Sequence, residues 1–200
     1  MSSLHTDRQT THIRQAEIIA AVLALAAEHG PAALSTPRIA RSVGLTDGAL
    51  FKHFPTKAAL WLAVIDWVDA QLLTRLQRAA DAAPEPLAAL RAVFLAHVDF
   101  AIAHPGVPRF IFNELQHPDD SPVKARVRAM LGRYRSVLNR LLDALPLPAA
   151  ERDAAATLFI GSVQGLVMQA MAAGDMPGMR GAAEAVFDLY RRALAAGSAS

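Results

Sequence analysis

The chain has 200 residues, 53% of them hydrophobic and 19% charged, with a formal net charge of +2. That suffices for one large or two small domains with buried cores, and so mild a positive balance does not by itself demand a nucleic-acid partner. Cysteine is absent, which excludes disulfides, zinc–thiolate sites and cysteine nucleophiles.

The first residues, "MSSLHTDRQTTHIRQ", are polar and lack the apolar core of a signal peptide. The longest apolar stretches are interrupted by Glu, Asp, Gln, Arg or Pro, so no uncharged membrane span of about 18 residues is expected. A soluble, cytoplasmic protein with no membrane partner is the expectation. Strand signals are nearly missing, with no sustained alternation of apolar and polar residues.

The first helix is predicted from His12 to His29, with Ile19, Val22, Leu23 and Ala26 on one apolar face. Gly30-Pro31 stops it. The second is short, Pro37 to Val43, with Thr36 as N-cap and proline at the first helical position. Gly44 ends it and Leu45 anchors the turn. The third starts with Thr46 as N-cap and ends near Phe54, where Pro55 breaks the chain. Thr56 caps a fourth helix running to Ala80. Further helices are predicted over Pro86–Ala103, Arg109–Leu115, Val123–Leu145 and Ala149–Ala173, and a last one ends near Ala196. The fold class is therefore all-α: nine helices, divided into a three-helix N-terminal domain over residues 1–55 and a larger helical domain over 56–200.

On a helical wheel, Leu50 and Phe54 mark the buried side of the third helix, with Gly48, Ala49 and Lys52 opposite and Phe51 and His53 flanking. The small outward face would let the helix sit deep in a major groove. The open N–H groups beside Thr46 favour a phosphate, and Thr36 with Arg38 and Arg41, and Thr56 with Lys57, repeat that device nearby. A short helix, a turn with glycine and a second short helix match the helix-turn-helix description.

The segment from Arg14 to Val64 resembles the N-terminal domain of the tetracycline-repressor (TetR) family. The positions that carry the resemblance are Ile19, Ala21, Gly30, Thr36, Ile39-Ala40, Gly44, Leu45, Thr46, Gly48, Leu50, His53-Phe54, Lys57 and Leu60. The resemblance implies a transcriptional regulator, usually a repressor, that binds double-stranded operator DNA as a homodimer and carries a C-terminal domain for a small-molecule effector. It assigns phosphate contacts to Thr36, Thr46, His53 and Lys57, with Arg38 near, and base-edge positions to Gly48, Ala49 and Lys52. Two positions depart from the family pattern. Phe51 stands where the family usually has a phosphate-bonding tyrosine, and Asp47 where the residue is often basic or small. Asp47 either stabilises the helix start or accepts from a cytosine amino group. The arm with Arg8 and Arg14 is expected to be disordered in the free protein.

For the C-terminal domain the resemblance implies an effector pocket, for which Trp61, Trp67, His97, Asp99, Phe110, Asn113, Tyr134 and Gln164 are candidate liners. His97 and Asp99 are two apart on one helix, so at most one of them points inward, and no third ligand lies near for a metal. In "LFIGSVQGLVMQAMAAG", Gly161 and Gly165 cost helix stability that close approach of another helix would offset. Gly161, Gly165, Met168 and Ala172 are therefore the candidate dimer interface. No catalytic motif of the metalloprotease, hydrolase or phosphate-loop kind occurs, so neither enzyme activity nor a cofactor or metal site is expected.

Overall fold

A computed structural model describes the backbone of residues 2–197 and the side chains of residues 11–195. Among the described residues it holds nine α-helices and no strand: α1 (Ser2–His29), α2 (Thr36–Ser42), α3 (Asp47–His53), α4 (Lys57–Ala82), α5 (Pro86–Ala103), α6 (Gly106–Gln116), α7 (Pro122–Leu142), α8 (Ala149–Ala173) and α9 (Met179–Gly197). A 3-10 turn, Pro31–Ala33, follows α1.

Several expected boundaries move, each for a local reason. The backbone is helical from Ser2, so α1 includes the segment expected as a disordered arm. Arg14 pairs there with Glu17 at 2.7 Å, one turn apart, whereas the Arg8 side chain lies outside the described residues. Thr36 is the first helical residue of α2 rather than its cap; Ser35 is the N-cap and makes no side-chain capping bond. α6 starts at Gly106, ahead of the expected Arg109, with Pro108 in its first turn, where a missing N–H leaves no bond unmade. α7 stops at Leu142 instead of Leu145, just ahead of Pro146.

The chain divides into two compact units, Met1–Asp69 with His104–Arg128, and Ala70–Ala103 with Ala129–Ser200. In the first, Ile18, Ile19, Val22, Leu23 and Ala26 of α1 form a buried stripe with Ile39, Ala40, Leu50 and Phe54. α6 lies along α1 in this unit, which takes the compact body past the domain boundary expected at residue 55. Gly106 makes that approach possible: a Cβ there would overlap the Leu23 carbonyl and stand 3.2 Å from the Ala27 nitrogen.

In the second unit α5, α8 and α9 pack on one another around an aromatic cluster. Phe94 meets Phe159 edge-on at 5.2 Å, and Phe159 meets Tyr190 at 5.5 Å. Ion pairs staple α5 to α9, Arg91 with Glu184 and Asp99 with Arg180. By length and composition α5 and α8 are each apolar enough to cross a membrane, where the sequence reading expected no such segment. In this fold that apolarity is spent on packing, since α5 buries Leu90, Val93, Phe94, Val98 and Phe100.

Candidate nucleic-acid interface

The turn between α2 and α3 follows from one glycine. Gly44 takes a left-handed conformation, with φ 68°. This lets the Gly44 N–H reach the Arg41 carbonyl (3.2 Å) and the Leu45 N–H reach back to Ala40 (2.8 Å). The two bonds close the C-terminus of α2 and aim the chain into α3. Thr46 then caps α3, its Oγ1 accepting from the Ala49 N–H at 3.2 Å, as its type and place predicted. Thr56 caps α4 in the same way, accepting from the Ala59 N–H at 3.0 Å.

The two faces of α3 fall as the wheel places them. Leu50 and Phe54 are buried; Asp47, Gly48 and Lys52 are exposed, and Ala49 is half-buried. Among the described residues, nothing beyond the local helix backbone lies within 4 Å of a Cβ built on Gly48, so the open side of α3 is small. Phe51 is 40% exposed, a large apolar ring on the solvent side that the protein's own core does not use. At the helix C-terminus, Gln15 of α1 donates from Nε2 to the His53 carbonyl at 3.1 Å, tying α3 to α1.

The cations are held unequally. Lys52 is exposed on the open side of α3. Arg38 is half-buried, and Arg41 donates from Nε to the Pro37 carbonyl of its own helix at 3.2 Å. Lys57 is anchored: its Nζ donates to the Leu34 carbonyl at 2.9 Å and stands 4.8 Å from the centroid of the Trp61 ring. It retains further N–H donors, because an ammonium has three.

Residues 18–64 match the model of bacterial regulatory proteins of the tetR family. The N-terminal segment is thus of the TetR-family DNA-binding type. Among curated proteins it is 26% identical over 159 residues to the nucleoid occlusion factor SlmA of Vibrio campbellii, covering 76% of this chain and 81% of that one. The SlmA of Photobacterium profundum is 27% identical with the same coverage. Among solved structures, the regulator FadR of Bacillus subtilis, in complex with stearoyl-CoA, superposes with TM-score 0.77 at 16% identity over 87% of this chain and 96% of that one. A TetR-family regulator of Streptomyces coelicolor gives 0.76 at 21% identity, over 99% of this chain and 96% of that one. At these identities the structural likeness is one of fold.

The candidate effector residues fall in both units. Trp61, Trp67, Phe110 and Asn113 belong to the first unit. Trp61 meets Phe110 edge-on at 5.3 Å, and Trp67 meets His104 at 5.3 Å. His97 and Tyr134 belong to the second unit, where His97 Nδ1 lies 3.0 Å from the Tyr134 hydroxyl. Burial lowers the His97 pKa to about 4 and pushes the Tyr134 phenol up. Asp99 is exposed and paired with Arg180, and Gln164 is exposed on the same side of α8 as Gly161 and Met168. As two-residue spacing required, His97 alone of its pair turns inward.

The α8 glycines face away from the other described helices. Among the described residues, nothing beyond the local backbone of α8 lies within 4 Å of a Cβ built on Gly161 or Gly165. The face they occupy is largely apolar, with Leu158 51% and Met168 50% accessible, Ala172 also exposed and Gln164 among them. Sequence reasoning missed Gln15, the Leu34 carbonyl and Glu114. Glu114 is the buried charged side chain of the described residues, and accepts from Trp61 Nε1 at 3.1 Å. No local pattern marks it, since its partner lies 53 residues away.

Proposed function

We propose that the protein is a cytoplasmic, homodimeric transcriptional regulator, a repressor that leaves a palindromic operator when a small molecule binds its C-terminal part. The observation that carries the DNA-reading half is the exposed face of α3. Gly48 and Lys52 are open on a helix whose other side is locked by Leu50 and Phe54. Lys52 is the cation placed for base edges, with Ala49 beside it and Asp47 at the helix start. In this reading Thr36, Thr46, His53 and Lys57 contact phosphates, with Arg38 near. Phosphate contacts fix register and base contacts specify.

Dimerisation rests on α8. Gly161, Gly165, Met168 and Ala172 with Leu158 form an apolar face with room for a second helix. Leu189 of α9 is 59% exposed and adds to the unburied apolar surface. Two-fold pairing would set the two α3 helices about 34 Å apart, one turn of DNA. An effector that favours a different spacing would release the operator by population shift. α4, which runs unbroken from Lys57 to Ala82, would carry that change.

A gel-shift assay on DNA flanking the protein's own gene tests the reading. The expected result is a palindromic footprint lost in Lys52→Ala and weakened by the effector. A footprint without two-fold symmetry, or binding indifferent to Lys52→Ala, overturns it. A second reading is a DNA-binding protein that answers to no effector; the likeness to nucleoid occlusion factors favours a nucleoid-bound protein. A compound screen by thermal shift separates the two, because an effector that stabilises the fold and weakens the gel shift is expected of the first alone. Activation instead of repression would use the same interface and is separated by a reporter gene.

A further inference from the structure

Lys57, Trp61 and Glu114 form a continuous arrangement across the first unit. Glu114 of α6 is 8% exposed. Its Oε1 accepts from Trp61 Nε1 at 3.1 Å. Phe110, one turn earlier on α6, meets the same indole edge-on at 5.3 Å. On α4, one turn before Trp61, the Lys57 ammonium stands 4.8 Å from the ring centroid and donates to the Leu34 carbonyl at 2.9 Å. A buried carboxylate ordinarily carries a countercharge. Here an acid stands at the indole edge and a cation over its face.

The two contacts reinforce each other. An indole N–H that donates to a carboxylate leaves its ring more electron-rich, and a richer ring holds a cation more strongly. The carbonyl of Leu34 and the indole face occupy part of the ammonium, and the remaining N–H is available to solvent, since Lys57 is exposed. A lysine otherwise samples many rotamers; this one is fixed at the first residue of α4, beside the Thr56 cap.

We propose that Glu114, acting through Trp61, is a positioning residue that holds Lys57 where its free N–H meets a DNA phosphate. The proposal rests on the reading of Lys57 as a phosphate contact. It adds that α6, which touches no DNA in that reading, sets the strength of the contact. Loss of the carboxylate or of the indole N–H would release the ring, and with it the lysine.

The test is the salt dependence of full-length protein binding to a fluorescein-labelled duplex of mixed sequence, ~30 base pairs long or about three helical turns. Each phosphate contact contributes about 0.9 to the slope of log K against log salt, whatever the sequence. Lys57→Ala is expected to lower the slope by about that amount per bound protomer. Glu114→Ala and Trp61→Phe are expected to lower it equally with Lys57 still present, and Glu114→Gln, which keeps an acceptor for the indole, to retain most of it. Glu114→Ala combined with Lys57→Ala should fall no further than Lys57→Ala alone. With a wild-type helical spectrum, an unchanged slope in both Glu114→Ala and Trp61→Phe overturns the positioning role, as does an additive fall in the double variant. An unchanged slope in Lys57→Ala overturns the phosphate contact itself, and the proposal with it.

Discussion

Gly106 and Leu23 are in backbone contact: a Cβ on Gly106 would overlap the Leu23 carbonyl. The contact joins the first residue of α6 to the middle of α1, the helix on which α2 and α3 pack. Because backbone is what the Cβ meets, no rotamer change relieves it. Gly106→Ala is expected to lower stability by about 1–3 kcal/mol, the usual penalty of overpacking. Gly132→Ala, where nothing lies within 4 Å, is the control and should be neutral or stabilising. Urea midpoints of the two variants check the difference.

Gly48→Ala separates folding from DNA reading. The free protein has open space at that position, and alanine favours helix over glycine by about 1 kcal/mol. Stability should hold or rise while operator affinity falls, because the added methyl lies on the face that enters the groove. Equal affinity for both proteins in a fluorescence titration would remove groove clearance as the reason for the glycine.

The two departures from the family pattern should each weaken backbone affinity. Phe51 is 40% exposed and already in the place of the family's tyrosine. Phe51→Tyr supplies one phosphate hydrogen bond of about 1 kcal/mol, or roughly fivefold tighter binding at fixed salt. Asp47→Ala removes an acid near phosphates and costs the helix start about 0.3–1 kcal/mol, so its affinity should rise while its melting temperature drops slightly.

Met168→Glu places a charge on the exposed α8 face, where the wild-type side chain is 50% accessible in the single chain. The fold of one protomer should survive it. Sedimentation velocity is expected to show a dimer for the wild type and a monomer for the variant, with the cooperative DNA footprint lost as well.

His97 predicts a pH dependence with a definite sign. Its folded pKa is lowered by burial from 6.5 to about 4. Between those values the unfolded chain binds the proton and the folded chain does not. Stability from this group is therefore full above pH 6.5, falls as pH drops toward 4, and changes no further below that. The total is at most about 3 kcal/mol. Denaturation of wild type and His97→Gln between pH 7.5 and 5 should show the steeper decline in the wild type.

Much of the fold was legible because it is locally encoded. Thr46 and Thr56 cap helices in the structure because a hydroxyl one residue before a helix answers a free N–H within the same turn. Gly44 bends the chain because only its own φ is at issue. The buried and open sides of α3 follow from residue spacing alone. Local rules also failed locally: Thr36 looked like a cap, but the helix starts one residue earlier and takes Ser35.

What the sequence by itself determined, then, is the set of helices, the turn that joins α2 to α3, and the small exposed face of α3, all of which depend on interactions within a few residues. The tertiary structure alone decided which side chains meet. It set Lys57 against the carbonyl of Leu34, 23 residues away, and Trp61 against Glu114, 53 residues away. It turned Asp99 outward to Arg180 and left Gly161 and Gly165 facing no other described helix. Such partners are chosen by the packing of whole helices, which no single helix's pattern contains.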